Sequence, residues 1–484
     1  MLFNSYLFIF IFLPISLLVW FFLNHIGKFK AAQIFLVAMS LWFYAYFNYS
    51  YIWIIMGSCI FNYLCSLLIE KIPGKRKGIG IFGIVGNLAI LFYYKYFDFF
   101  IENINFLFKK DIPLLHILLP LGISFFTFQQ LSYIVDRMKG EAPHYGWLDY
   151  FSFVTFFPQL IAGPIVLHTE LVPQFKDKEK RKFNVNNFTD GCVQFILGLG
   201  KKVLIADTLA LVVNETYFNR YYLTTWSTIV FILAYAFELY FDFSGYCDIA
   251  VGVGKMFNFT IPENFNSPYG SHSMKEFWNR WHMTLSRFFI TYVYIPLGGS
   301  RKGEKRKQIN TMIVFLLSGL WHGASWNYVA WGFLNGIGVI VSSRKTEKRK
   351  NSFFSWLATF SYFLFTLIFF RSESMKDVGI ILKGLVKPVG VKFIYDMAQY
   401  MDIPELYVFR RAFEMFLPEY QGIVYLSAFI LLMLLCVFLL RQKNPSQIVR
   451  EENYRKRTVI ILSVVFIWSV ISLSGVSTFL YFNF

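Results

Sequence analysis

Charge is scarce in this sequence. Only 15% of its 484 residues are Asp, Glu, Lys or Arg, against about 25% in an average soluble domain. Cysteine is scarcer still. Cys59, Cys65, Cys192, Cys247 and Cys436 are scattered without a CxxC pair, so neither a zinc site nor a disulfide framework is legible, and the thiols read as small buried hydrophobes. The VGVGK at 251–255 is not a phosphate loop: GxxxxGK[ST] needs glycine where Ile249 stands and Ser or Thr where Met256 stands. HExxH and GxSxG are both missing, which leaves metallohydrolase and serine-hydrolase chemistry without support. There is no fixed-period repeat, no low-complexity segment and no linker long enough to separate soluble domains.

Apolar residues are abundant. The chain is 56% hydrophobic and 21% aromatic, with a mean hydropathy of +0.49. Runs at 7–23, 80–94, 227–241, 353–370, 423–440 and 459–473 approach the roughly 17–25 residues that span a hydrocarbon core. The expected fold class is an all-α polytopic membrane protein with about 9–12 transmembrane helices plus re-entrant and interfacial ones. The first run has neither a basic leader nor a small-residue cleavage site, so it reads as a retained helix rather than a signal peptide. The mixed stretch 371–420, with Pro388, Pro404 and Pro418, suits short surface-lying helices.

The formal net charge is +17, but its distribution argues against a nucleic-acid partner. Basic residues gather in short loops: KIPGKRKG at 71–78, KDKEKRK at 176–182, RKGEKRK at 301–307, RKTEKRK at 344–350 and RKR at 455–457. This is the positive-inside pattern, which places those loops in the cytoplasm beside membrane lipid headgroups.

One titratable ring sits where lipid is expected. His322 lies within LLSGLWHGASWNYVAWG (316–332). If the basic loops on either side both face the cytoplasm, the chain leaves and returns within about 35 residues, whereas two full crossings need about 40. The segment is therefore expected to be short, broken or re-entrant, with one long tilted helix as the alternative. His322 is then either a histidine hydrogen-bonded between helices or a general base, a role suited to a ring that titrates near neutral pH. Gly319, Gly323 and Ala324 would let a ligand approach the backbone, and Trp321 and Trp326 would supply flat walls.

FWNRWHMTLSRFFITYVYIPLGG (277–299) adds His282, Asn279, Arg280 and Arg287. On a continuous helix Arg280 and Arg287 share a face, with Asn279, His282 and Ser286 on an adjacent stripe. Such arginines bind an anionic group such as a phosphate or snorkel to headgroups. Glu238, Asp242 and Asp248 lie in or beside the apolar run from Ser227, where acids are costly and are expected to be functional or paired, most economically with those arginines. The chain ends GVSTFLYFNF (475–484). If extended, this tail places Phe479, Tyr481 and Asn483 on one side.

In combination these segments resemble the membrane-bound O-acyltransferases. LPLGISFFTFQQLSYIVDR (119–137), FFPQLIAGPI (156–165), FDFSGYCDIA (241–250), FWNRWH (277–282), YIPLGGSRKG (294–303), WHGASW (321–326) and the terminal FLYFNF (479–484) are similar to its alginate O-acetylation (AlgI-type) branch, nearly end to end. The resemblance implies a single membrane-embedded domain over 1–484, with a motif core at about 119–342 and a central tunnel meeting at His322. It implies His322 as the catalytic histidine and His282 as the second motif histidine. It also implies acetyl-CoA, or another cytoplasmic acyl-CoA, as donor substrate, with no bound cofactor or metal. The acyl group would cross a bacterial cytoplasmic membrane to a polysaccharide acceptor, with an extracytoplasmic SGNH-type acetyltransferase as partner. Tyr481 matches the acyl-accepting tyrosine of a partner peptide in the D-alanylation relatives. D-Alanyl transfer to teichoic acid is the alternative within the class. A polysaccharide or lipid transporter, or a scaffold that docks the external enzyme, is the alternative outside it.

Overall fold

The computed structural model describes residues 1–344, 352–388, 392–401, 403, 407–451 and 454–474. The basic loop at 345–351 and the aromatic tail 475–484, with Tyr481, lie outside the described residues. Every regular element among the described residues is helical. Among the described residues six helices are long and apolar enough to cross a membrane; other helices are shorter or carry charges at one end.

The backbone divides into two compact units built from interleaved segments. One comprises Met1–Phe195, Ala250–Glu263 and Thr284–Leu297; the other comprises Ile196–Ile249, Asn264–Met283 and Gly298–Phe484.

The first unit contains α1 (Phe8–His25), α2 (Phe29–Ala45), α3 (Tyr51–Lys71), α4 (Pro73–Phe108) and α5 (Ile123–Lys139). Helix α4 has a π turn at Phe92–Tyr96. Helix α5 stops at Gly140, whose left-handed φ of 84° closes its last turn. Phe157 stands among Phe8, Phe12 and Phe43, with ring centroids 6.2, 5.2 and 5.5 Å away, and each such pair adds about 0.5–1.5 kcal/mol beyond area burial. Several buried polar residues form hydrogen-bonded sets. Asn62 on α3 and Asn87 on α4 exchange reciprocal amide hydrogen bonds of 3.0 and 2.6 Å. Asp136 accepts from Tyr292 at 2.8 Å and contacts His168 Nε2 at 2.9 Å, while His168 Nδ1 meets the Tyr145 hydroxyl at 2.9 Å. Inter-helical polar bonds of this kind hold helices together where apolar contact is no different from contact with lipid.

The second unit is built around α6 (Thr225–Met256) up to Ile249, α7 (Glu304–His322), α8 (Trp326–Arg344) and α9 (Phe353–Arg371). Ser352 caps α9 by accepting from the Phe354 N–H. Beyond it come the short α10 (Met375–Gly384), α11 (Lys392–Gln399) and α12 (Tyr407–Phe416), then α13 (Pro418–Leu440) and α14 (Lys456–Ile471). The three short helices agree with the reading of 371–420 as a stretch without crossings.

Helices α7 and α8 form a hairpin. Each has 19 residues, about 28 Å at 1.5 Å per residue. The hairpin starts at Glu304 within the basic segment 301–307 and ends at Arg344, and the break at Gly323 replaces the alternative of one long helix. A Cβ on Gly319 would collide with the Tyr328 carbonyl oxygen, and one on Gly332 with that of Phe315. Gly319 therefore serves backbone-to-backbone packing of the two helices rather than the ligand approach expected from its position beside His322.

Candidate active site

Helix α7 ends at His322 because Gly323 turns to an extended backbone, φ −168° and ψ 147°. The histidine thus sits at the apex of the hairpin, with its side chain only 3% exposed. The rings of Trp321, Trp331 and Phe370 lie 4.9, 5.0 and 5.1 Å from its own, at interplanar angles of 76–83°. Edge-to-face packing on three sides fixes the imidazole and keeps bulk water from it. Trp326, expected as a wall, is instead 58% exposed. It opens α8, and Trp331 and Phe370 are the rings packed on the imidazole beside Trp321.

His282 lies 6.5 Å from His322, centroid to centroid, and 5.8 Å from Trp321. It is not on a continuous helix. The helix Met274–Trp278 ends, the chain turns through 279–282, and a new helix starts at Met283. The turn puts His282 in the left-handed region at φ +46°, a conformation that costs a non-glycine residue on the order of 1–2 kcal/mol. Asn264 holds it there. The Met283 N–H donates to the Asn264 carbonyl at 3.0 Å, and Asn264 Oδ1 lies 3.1 Å from His282 Nδ1. Because Asn264 Nδ2 donates to Cys247 Sγ at 3.3 Å, Oδ1 is the accepting end. His282 then carries its proton on Nδ1, and in the neutral ring Nε2 is an acceptor.

The break at 279–282 also corrects the arginine face. Arg280 and Arg287 belong to different elements, so the shared-face geometry does not apply. Arg280 pairs with Glu276 at 2.8 Å, and Arg287 makes a fork on Glu170 at 2.5 and 2.9 Å and a further bond to the Ile165 carbonyl at 3.1 Å. The Asn279 side chain is exposed, and its backbone N–H closes the Met274–Trp278 helix. Two of the acids on α6, Asp242 and Asp248, therefore pair with lysines instead. Asp242, 2% exposed, pairs with Lys202 at 2.6 Å; Lys202 also holds Asp207 at 2.7 Å, and Lys201 holds Asp248 at 2.8 Å. A π turn at Lys201–Ala206 carries both lysines. Close approach of Gly198 and Gly245, where a Cβ on either would meet the other's carbonyl at 2.7–2.8 Å, brings them against α6.

A sequence profile for the membrane-bound O-acyltransferase family matches residues 39–370, a span that includes both histidines. The chain belongs to this family. This O-acyltransferase is 37% identical to a peptidoglycan O-acetyltransferase of Helicobacter pylori, with 100% of the chain and 98% of the relative covered. It is 36% identical to the probable alginate O-acetylase AlgI of Pseudomonas aeruginosa, over 78% of the chain and 73% of the relative. A teichoic acid D-alanyltransferase of Streptococcus thermophilus is 27% identical over 48% of the chain and 58% of its own length.

Reading the sequence missed Asn264, Lys201, Lys202, Trp331 and Phe370. The adjacent lysines in GLGKKVLIA (198–206) were a legible signal, being two charges in an apolar run opposite three acids. Asn264 and Phe370 had none, since each reaches its histidine only through the tertiary fold.

Proposed function

We propose that this O-acyltransferase takes an acetyl group from cytoplasmic acetyl-CoA and passes it across the bacterial cell membrane for O-acetylation of an external polysaccharide, with His322 as general base. The observation that carries the proposal is the position of His322: a buried imidazole at the apex of the α7–α8 hairpin, whose two ends adjoin basic stretches of sequence that the positive-inside rule assigns to the cytoplasm. In the reaction the imidazole takes the proton of an acceptor hydroxyl as the oxygen attacks the thioester carbon. The tetrahedral intermediate collapses with cleavage of the C–S bond, and the imidazolium returns the proton to the leaving thiolate. No net proton is released. As the last residue of α7, His322 lies where the helix presents about half a negative charge, which favours the transient imidazolium. His282, its Nδ1–H committed to Asn264, offers Nε2 to orient the hydroxyl, and the 6.5 Å ring spacing admits one oxygen bonded to both rings. The aromatic cage protects the thioester from hydrolysis.

Tyr481 is the proposed carrier. A phenol ionises near pH 10, far more readily than a sugar hydroxyl, and its ester can pass the acetyl group onward to an SGNH-type partner outside. The full-length likeness to a peptidoglycan O-acetyltransferase favours a peptidoglycan glycan strand over alginate as final acceptor, and the short, weaker match to a D-alanyltransferase favours acetyl over D-alanyl. Purified protein incubated with radiolabelled acetyl-CoA tests this. His322→Ala should slow transfer by about 10²–10⁴-fold while the protein stays folded, and Tyr481→Phe should abolish label on the tail. Full transfer by His322→Ala would overturn the mechanism.

A further inference from the structure

One face of α6 carries buried polar groups that the mechanism above leaves unused. Tyr235, Glu238 and Asp242 recur at i, i+3 and i+7 and so share a stripe. Asp242 is consumed by Lys202. Tyr235 and Glu238 are each only 1% exposed, yet the Tyr235 hydroxyl and Glu238 Oε2 have no hydrogen-bond partner among the described residues, and neither has Arg371 Nε. Orphaned polar atoms at this depth each cost about 1–3 kcal/mol, and three in one neighbourhood are an unfilled donor and acceptor set.

They are neighbours. The Arg371 guanidinium carbon lies 5.9 Å from the centre of the Tyr235 ring, and Glu238 follows Tyr235 by three residues on the same face of α6. Arg371 is steered by groups on the helix Asp207–Phe218: it stacks 3.8 Å over Tyr217 and donates through Nη2 to Asn214 at 3.0 Å. The residue before it is Phe370, whose ring forms one wall of the His322 cage. Arg371 thus follows directly, in sequence, a residue that packs on the His322 ring. It also lies at the end of α9 remote from the basic segment that precedes that helix, hence toward the outer side by the positive-inside rule.

The polar atoms select the ligand. Arg371 Nε donates, Glu238 Oε2 accepts and the Tyr235 hydroxyl does either, so the set suits a neutral group that both donates and accepts hydrogen bonds. We propose that Tyr235, Glu238 and Arg371 form the subsite that holds the hydroxyl-bearing acceptor against His322. This rests on the reading of His322 as the base of an O-acyl transfer. The hydroxyl is supplied either by the Tyr481 phenol or by a glycan.

The test uses the full-length protein in lipid nanodiscs, with radiolabelled acetyl-CoA and de-O-acetylated peptidoglycan glycan fragments. Equilibrium dialysis gives the Kd for acetyl-CoA, while label is followed separately onto the tail, by mass spectrometry, and onto glycan in a Tyr481→Phe background. Glu238→Gln and Tyr235→Phe should leave the acetyl-CoA Kd within about twofold and slow transfer per bound donor roughly tenfold, the worth of one hydrogen bond to a charged group. Loss on the tail alone assigns the subsite to the phenol, and loss on glycan alone assigns it to the sugar. A tenfold weaker acetyl-CoA Kd with unchanged transfer would overturn the proposal, as would no change in either quantity. Tyr235→Phe, which removes one oxygen, serves if Glu238→Gln does not fold. His322→Ala is run in parallel. If that variant transfers at the parental rate, the base assignment fails on its own, whatever the α6 variants do.

Discussion

His282 holds a backbone conformation that branched side chains avoid and asparagine tolerates. That asymmetry separates fold from chemistry. His282→Asn should keep its thermal midpoint within a few degrees of the parent while losing most acetyl transfer. His282→Val should lose the fold, seen as aggregation on fluorescence-detected size exclusion. Equal stability of the two variants would mean that the left-handed turn is not required. Both histidines were legible because each stands among tryptophans and small or basic residues in an otherwise apolar run. Their supports were not. Asn264 lies on a loop with nothing in its surroundings to mark it, and the walls Trp331 and Phe370 look like ordinary apolar residues until the hairpin and α9 bring them to one ring.

At the scale of elements, the hairpin was readable from arithmetic: too few residues for two generous crossings, basic loops at both ends, and glycines near the centre. The helix over 277–299 was misread, because a turn held by a distant asparagine interrupts a pattern that is helical on both sides. Hairpin packing gives a direct prediction. In Gly319→Ala the added methyl points at the Tyr328 carbonyl, which belongs to backbone and cannot swing aside. The variant should lose about 1–3 kcal/mol and, by shifting His322, lose transfer activity as well; an unchanged melting temperature would refute this. Helix α10 supplies a pH test. Burial alone would raise the Asp377 carboxyl, but hydrogen bonds from Ser374 at 2.8 Å and Arg220 at 2.8 Å, with the Arg220 charge, outweigh burial and hold it below the usual carboxylate range. A folded-state value below the unfolded one, about 3.9, means stability that is complete above that pH and is lost as pH falls through the depressed value. Asp377→Asn should therefore melt earlier than the parent at pH 7, by about 1–3 kcal/mol, and the gap should close in acid below about pH 4. A gap independent of pH would count against the ion pair as its cause.

For the whole molecule, the charge distribution sets orientation. If the basic loops are cytoplasmic, Lys305 and Val386 lie on opposite sides: one stands in the first turn of α7, the other follows α10 beyond the far end of α9. Single cysteines at these positions should react with an impermeant maleimide from opposite faces, Val386→Cys in intact cells and Lys305→Cys only after lysis. Labelling of both from outside would invert the topology and undo the acetyl-export scheme. The native thiols favour such an experiment. Four of the five are buried, and the fifth, Cys192, is half-buried, so the unmodified chain should give a low labelling background. Spectroscopic probes can then be placed one at a time, a spin label at the hairpin tip for instance, without first stripping out the wild-type sulfur.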